Sequence, residues 1–225
     1  MNHILFPAFF DVTFAPRKKE MSQLENIITK SGELFLRYGV KNLTMDEIAK
    51  QLGMSKKTIY QYVTNKSDLV QKVMQAHLDK EDSFIKEVQR TSQNALEENL
   101  RMITFMSEEL QGFNAVIFFD LQKYYPESYA LFNEHREKVA LRNILNNLKS
   151  GIKEGLYRKD INTEIVSRIF VSALDILIDQ QRFPSKKYHF YNLYKEFINY
   201  HLGGILTPKG VTFLEQSKLL KSLMP

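Results

Sequence analysis

The residues between Thr44 and Lys66 are rich in hydroxyl, amide and ammonium groups, which can form hydrogen bonds and ion pairs with a ligand. Groups of this kind bind phosphate oxygens and base edges in a DNA groove. The sequence shows no nucleophile elbow, phosphate-binding loop, opposed carboxylate pair or metal-type histidine pair, so we expect neither enzyme activity nor a metal. The candidate DNA-contact residues are Thr44, Ser55, Lys56, Lys57, Thr58, Tyr60, Gln61, Tyr62 and Lys66.

Two short helices are predicted to position these side chains. Thr44-Met-Asp-Glu47 has the spacing of a capping box, in which each end residue accepts a hydrogen bond from the other's backbone amide. Gly53 ends the first helix in a tight turn, and Ser55 caps a second helix from Lys56 to about Val63. Both helices are too short to hold alone in water, so they must pack on their neighbours.

The arrangement of these two helices predicts a helix-turn-helix. The small Ala49 allows the helices to cross closely, and Ile59 packs the second helix onto the first. The outward N-terminal face of the second helix is then free to enter a DNA major groove. Tyr60 and Tyr62 would reach phosphates from there, although isolated tyrosines are more often packing residues.

The net positive charge lies in the first third of the chain. From Arg17 to Lys72 there are 11 Lys and Arg against 6 Asp and Glu, while the whole chain has a formal net charge of +5. From Val73 to Pro225 the counts are 20 and 19, which is close to neutral. A basic segment of this kind is expected where a protein meets nucleic-acid phosphates.

The same segment resembles the TetR family of bacterial regulators. The resemblance rests on Thr44, Ala49 and Gly53, followed by the run Thr-Ile-Tyr-Gln-Tyr-Val-Thr-Asn-Lys-Ser-Asp-Leu that ends at Leu69. It implies that the nine candidate residues contact DNA. The family commonly has Phe where this chain has Val63, which is a packing position. The base-reading helix lacks Arg, which leaves guanine contacts to its lysines or to water.

The rest of the sequence predicts an all-α protein, because apolar residues recur at helical spacing and no alternating strand pattern occurs. We expect a three-helix DNA-binding domain over 21–68 and a larger ligand-binding and dimerisation domain of about nine helices over 69–206. Within that larger domain, helices are predicted at about 94–111, 114–124, 126–154, 163–182 and 186–202.

Both ends of the chain leave alternatives open. Residues 1–20 are interpreted as an N-terminal arm, either flexible or added by an over-extended translation start with Met21 as the true one. Residues 207–225 are interpreted as a tail in which 213–223 could form one more short helix.

Two late helices carry more apolar surface than one buried face needs. The predicted helix 163–182 is apolar around most of its circumference, and the last long helix repeats this pattern. Pairing two copies would give a four-helix interface with twofold symmetry. The candidate interface residues are Ile165, Ile169, Leu177, Phe190, Tyr194 and Phe197.

The family resemblance also implies a pocket for a small-molecule effector in the second domain. Aromatic side chains are the stock from which such a pocket could be lined, although for each of them ordinary core packing is the plainer interpretation. The candidate pocket residues are Phe84, Phe105, Phe118, Phe119, Tyr125, Tyr129 and Phe170.

Together these features predict a sequence-specific DNA-binding regulator, with double-stranded DNA, a second copy of the chain and a small, largely apolar effector as partners. The leading hypothesis is a repressor that the effector releases from a palindromic operator. The alternative is an architectural or cell-division factor of the same fold without a metabolite. The sequence has no cysteine and no membrane-length apolar run, so we expect a cytoplasmic protein without cofactors.

Overall fold

The computed structural model describes residues 22–110 and 116–217, which fold into helices joined by short turns. The all-α prediction is confirmed. After the third helix, the described residues form eight α-helices and one π-helical stretch. The helices are α1 Gln23–Tyr38, α2 Met45–Leu52, α3 Lys56–Ile59, α4 Lys66–Thr91, α5 Ala95–Glu109, α6 Val116–Tyr124, α7 Pro126–His135, α8 Leu141–Lys153, α9 Thr163–Leu177, α10 Phe190–Ile205 and α11 Pro208–Gln216.

The first helices begin and end at the signals that the sequence carries. The predicted capping box of α2 is present: the Thr44 hydroxyl accepts from the Glu47 amide at 3.2 Å, and the Glu47 carboxylate accepts from the Thr44 amide at 2.7 Å. Gly53 ends α2 with φ of 66° and ψ of 29°, the left-handed conformation that favours glycine. Local signals therefore suffice to place the turn between the two short helices.

The third helix is shorter than the sequence predicts. It ends at Ile59, and the chain continues as a tight turn in which the Tyr62 amide donates to the Ile59 carbonyl at 2.9 Å. An i→i−3 bond of this kind tightens the last turn of a short helix. The prediction that the helix reaches Val63 is therefore wrong, although Val63 is 3% exposed and still packs inward.

A first hydrophobic core, which we call the N-terminal core, surrounds the helix-turn-helix. It joins buried residues of α1 to α4, among them Ile27, Ile48 and Ile59, each 0% exposed. It also includes Ile117 and Leu121, which belong to α6. A helix from the second half of the fold thus completes the core on which the DNA-binding helices depend.

A second core, which we call the body core, joins α5, α8, α9 and α10. Helix α7 starts with Pro126 at its first turn and runs through the π-helical stretch Arg136–Ala140 into α8. The sequence predicts one helix over 126–154, and the three segments together occupy nearly that range. A π-helical stretch inside a longer helix marks a place where side chains are re-aimed, often at a functional site.

The last three helices differ from their predicted bounds. Helix α9 ends at Leu177 rather than near Arg182, and α10 begins at Phe190 rather than near Lys186. Between them lie turns built on Pro184, whose carbonyl accepts from two later amides at 2.9 and 3.0 Å. Proline removes a backbone donor and disfavours helix in the residue before it, which is consistent with a non-helical connection around Pro184.

Helix α11 lies earlier than the short tail helix suggested by the sequence over 213–223. Pro208 occupies its first turn, and the Thr207 hydroxyl caps it by accepting from the Gly210 amide at 3.1 Å. Its residues Phe213 and Leu214 pack against the body core. The segment 207–217 is therefore part of the fold, whereas 218–225 lies outside the described residues.

Candidate nucleic-acid interface and internal cavity

The short helix α3 presents most of the candidate DNA-contact residues to solvent. Lys57 and Gln61 are exposed and make no side-chain hydrogen bond or ion pair within the described residues, and the Tyr60 ring is 42% exposed. Ile59 holds the opposite side of the helix in the N-terminal core. The result is a rigid polar surface whose donors are available to a ligand.

The caps of the two short helices use other candidate residues internally. Thr44 is held in the α2 capping box, while the Ser55 hydroxyl accepts from the Thr58 amide at 3.0 Å and lies 2.8 Å from the Thr58 hydroxyl. All three positions remain at the surface end of their helices, where backbone amides favour phosphate oxygens. These side chains therefore position the surface even where their own hydroxyls are occupied.

Lys56 and Tyr62 have partners that DNA would have to displace or share. The Lys56 ammonium donates to Asp46 at 3.0 Å, a hydrogen bond that raises the pKa of Lys56, and both side chains are exposed. Exposed pairs of this type contribute little and exchange readily. The Tyr62 hydroxyl donates to the Gln23 side chain at 3.0 Å, and this hydrogen bond joins α1 to the turn that follows α3.

Lys66 is placed differently from the other candidates. Its ammonium donates to the backbone carbonyl oxygens of Val40, at 2.5 Å, and Lys41, at 3.4 Å, and it lies 5.6 Å from the centre of the Tyr125 ring. Partial burial lowers the pKa of Lys66. The structure therefore uses this lysine to hold the loop between α1 and α2 against the start of α4.

We expect Lys66→Ala to lower the free energy of unfolding by about 1 kcal/mol or more, because it removes hydrogen bonds from a charged donor to two carbonyl oxygens. A loss of that size lowers the melting temperature of a chain this long by about 2–4 °C. The measurement is thermal unfolding followed by circular dichroism. Lys57→Ala is the matched control, since it removes an exposed ammonium without a partner. Equal melting temperatures for the two variants would contradict the assignment.

Helix α6 is bonded to the same loop. Asp120 is 5% exposed, and its carboxylate accepts from the Lys41 amide at 3.1 Å. The Asp120 carboxylate is also one of the charges that act to raise the pKa of Lys66 against the larger effect of burial. The loop between α1 and α2 is thus clamped by α4 on one side and by α6 on the other.

A partly open cavity of about 140 Å³ lies among α4, α5, α8, α9, α10 and the π-helical stretch. On α4 it is bordered by Glu81, Ile85 and Gln89, which recur every four residues and so span about 12 Å. Most of its wall is apolar, with Met102, Leu174 and similar side chains. A concave, mostly apolar space with a few polar groups is typical of a small-molecule site.

Several polar groups at the cavity wall are bonded to one another. The Gln89 amide donates to Asn143 at 3.2 Å, and the Asn147 amide donates to the Ala95 carbonyl at 2.8 Å. His201 contacts the Phe170 ring edge-on, and burial lowers its pKa to about 4, so its imidazole is neutral near pH 7. These groups shape the wall without needing a ligand.

Of the seven predicted pocket aromatics, Phe170 lines this cavity and the other six lie elsewhere. Phe84 and Phe105 stack on each other with ring centres 4.2 Å apart. Tyr125 and Tyr129 pack against the N-terminal core, Phe118 packs on Phe132, and Phe119 is 51% exposed. These six aromatic residues therefore serve packing and surface contacts. The cavity itself is formed mainly by aliphatic and amide side chains.

The cavity residues that the sequence analysis missed include Glu81, Arg136 and Tyr194. Glu81 had a readable signal, since it interrupts the apolar face of α4 between Leu78 and Ile85, both of which are buried. A carboxylate at such a position needs an explanation in the structure. Arg136 had no such signal, because its burial depends on α9, which supplies Asp175 as its ion-pair partner.

An exposed apolar face runs along α9 and α10. Ile165, Ile169 and Ile176 are 56%, 61% and 44% exposed, and Tyr200 of α10 is 83% exposed. Of the residues predicted for a dimer interface, Ile165 and Ile169 lie on this face. Leu177, Phe190 and Tyr194 are instead buried in the body core, and Phe197 packs against it, because α9 and α10 turn those sides towards α5 and α8.

No helix within 22–110 and 116–217 is long and apolar enough to cross a membrane. The same residues contain no group of three His, Asp or Glu side chains that could hold a metal ion.

The N-terminal region matches a known protein family. Residues 27–73 match the family described as bacterial regulatory proteins, tetR family. The HTH-type transcriptional repressor KstR2 of Mycobacterium tuberculosis is 23% identical over 193 residues, which span 84% of this chain and 96% of that protein. The match therefore extends well beyond the helix-turn-helix.

Solved structures show the same fold. A TetR family transcriptional regulator from Agrobacterium tumefaciens aligns with a TM-score of 0.67 at 15% identity, over 82% of this chain and 97% of that chain. The regulator FadR from Bacillus subtilis, in complex with stearoyl-CoA, aligns with a TM-score of 0.57 at 17% identity, over 80% of this chain and 97% of that chain. At such identities the likeness concerns architecture alone.

Proposed function

We propose that this chain, whose residues 27–73 match the tetR family of bacterial regulatory proteins, is a transcriptional regulator that reads a palindromic operator. The observation that carries the proposal is the exposed polar face of α3, held rigidly by caps on one side and by Ile59 on the other. Lys57 and Gln61 read base edges, and Tyr60 contacts a phosphate. Family members of this kind are generally not enzymes.

The regulator acts as a homodimer joined through the exposed face of α9 and α10. Regulators of the TetR family act as dimers, and Ile165, Ile169 and Ile176 form a row of exposed apolar side chains on one face of α9. Pairing this face with its copy gives a closed, twofold interface. A twofold protein matches a palindromic operator with one reading helix in each half-site.

The cavity beside α4 receives the small-molecule effector. Helix α4 carries residues of the N-terminal core in its first turns and lines the cavity with its C-terminal half, so a ligand that shifts it moves the reading helices. FadR of Bacillus subtilis was solved with stearoyl-CoA, so a ligand in this fold has a precedent. Coupling between two such sites typically changes affinity by about 5–150-fold.

The first test is a footprint on DNA upstream of the protein's own gene, repeated across a salt series. We expect protection of a palindrome, with the logarithm of affinity falling linearly as the logarithm of salt concentration rises. If no site is protected there, selection from random DNA provides the second test. Failure to enrich any sequence would contradict the proposal.

Two substitutions separate base reading from phosphate contact. We expect Lys57→Ala to weaken operator binding and to relax preference at one or two base pairs, by about 1–3 kcal/mol of discrimination each. Tyr60→Phe removes a phosphate contact, so it weakens all sequences to a similar, smaller extent. Titrations of the operator and of single-base variants distinguish the two patterns. Uniform losses for both variants would reject these roles.

A second candidate function is an architectural DNA-binding factor without a metabolite. It shares the reading surface but makes no use of the cavity. Stoichiometry on DNA separates the two, because an architectural protein adds further dimers along the duplex as concentration rises. More than two dimers per protected site would favour this candidate over a regulator.

A further inference from the structure

One end of the cavity carries a buried hydroxyl without a partner. Tyr194 is 4% exposed and lines the cavity, and its hydroxyl makes no hydrogen bond within the described residues. Three other side-chain atoms of the described residues, Oγ of Ser31, Oδ1 of Asn133 and Nε of Arg136, are fully buried without a hydrogen bond. The Tyr194 oxygen differs from them because it keeps some accessible surface. The Tyr194 hydroxyl therefore opens onto the cavity, where a ligand can bond to it.

Glu81 also lines the cavity, and its charge is, after burial, the second cause that raises the pKa of Tyr194, so the two groups are neighbours. The Glu81 side chain is 16% exposed, and Nδ1 of the His135 ring lies 3.9 Å from its Oε2. The other nitrogen of that ring lies 2.8 Å from Asp82. Burial raises the pKa of Glu81; His135 acts against this effect, and the Asp82 and Glu109 carboxylates add to it.

Lys80 and Arg136 lie nearby, and each is engaged with a different carboxylate. The Lys80 ammonium donates to Glu109 at 2.8 Å, and the Arg136 guanidinium pairs with Asp175. Within the described residues, the Lys80 and Arg136 side chains are thus each paired with a carboxylate, whereas the Glu81 carboxylate and the Tyr194 hydroxyl make no hydrogen bond. A group with several N–H donors fits this combination, because it can bond to both oxygens at once.

We infer that the effector of this cavity is a small apolar amine, whose protonated amino group donates to the Glu81 carboxylate and the Tyr194 hydroxyl. The inference rests on the proposed function, since it assigns a ligand class to the effector site. The cavity volume of about 140 Å³ is close to that of cavities of about 150 Å³ that take up benzene. The apolar body of the ligand is therefore about one ring in size.

The test uses calorimetric titration of the full chain with three probes of similar size: benzylamine, benzyl alcohol and benzoate. Benzylamine is expected to bind tightest. Glu81→Gln should weaken benzylamine by about tenfold or more, because it removes a charge-assisted hydrogen bond, and should leave benzyl alcohol within about twofold. Glu108→Gln, at an exposed position of α5, is the matched control and should leave all three probes unchanged.

Tyr194→Phe keeps the ring and removes only the hydroxyl, so it tests the same site if Glu81→Gln does not fold. It should weaken benzylamine by about threefold or more. Tighter binding of benzoate, no binding of benzylamine, or equal losses in Glu81→Gln and Glu108→Gln would each overturn the inference. None of these results bears on DNA, so the footprint and the titration fail independently.

Discussion

Replacing Ile169 by Glu is expected to convert the protein into a monomer and to lower operator affinity by about 100-fold or more. Ile169 is 61% exposed in the single chain, so the substitution should change the stability of the monomer by less than about 0.5 kcal/mol. In the proposed dimer, the same position is covered by α9 of the second copy. Each interface would then bury two carboxylates without partners, which costs several kcal/mol.

Loss of the dimer carries over to DNA because the two half-sites are bound together. A linked pair of reading helices gains about 10²–10⁴ in affinity over a single one, and a monomer forfeits that gain. Sedimentation velocity gives the oligomeric state, and operator titration gives the affinity. Ile169→Val is the control, since it keeps an apolar side chain and should remain dimeric. A dimeric Glu variant with undiminished affinity would place the interface elsewhere on the molecule.

Replacing Gly151 by Ala is expected to destabilise the body by about 2 kcal/mol or more. A Cβ at this position would lie 2.1 Å from Cδ2 of Tyr157, far inside contact distance. The Tyr157 ring is 1% exposed, and its single O–H lies within hydrogen-bond distance of the Ala95 carbonyl, at 3.2 Å, and of the Asn147 side-chain oxygen, at 3.0 Å. The ring cannot move aside without giving up these bonds, so the overpacking cost outweighs the gain in helix propensity.

The melting temperature reports this cost. A loss of about 2 kcal/mol corresponds to about 4–8 °C for a chain of this size. Ser150→Ala, one residue earlier and exposed on the same helix, is the control and should change the melting temperature by about 2 °C or less. A Gly151→Ala variant as stable as this control would show that α8 and Tyr157 pack less tightly than the structure indicates.

Local interactions account for the part of this fold that could be predicted from the sequence. The capping box at Thr44 and Glu47 and the left-handed turn at Gly53 involve residues within one or two turns of each other, so their spacing alone reveals them. The reading surface follows from the same segment. Its exposed members, Lys57 and Gln61, needed no information about the rest of the chain.

Contacts between distant segments account for what could not be predicted. The apolar pattern of α10 cannot tell which side faces its own core, and the structure buries Tyr194 while leaving Tyr200 83% exposed. Lys66 has the sequence context of a DNA-contact residue, but its ammonium is held by the loop that Asp120 of α6 clamps. The cavity likewise forms only where several helices meet, so no single helix reveals it.

The place of α6 in the N-terminal core has a consequence for the autonomy of the DNA-reading part. Ile117 and Leu121 fill space among α1 to α4, so a fragment that stopped at the end of α4 would leave a hole in its own core. We therefore expect the DNA-binding helices and the body to unfold together, in a single cooperative transition. Because Ile117 and Leu121 complete the N-terminal core, the stability of the DNA-binding helices depends on α6, and any movement of α6 is transmitted to them.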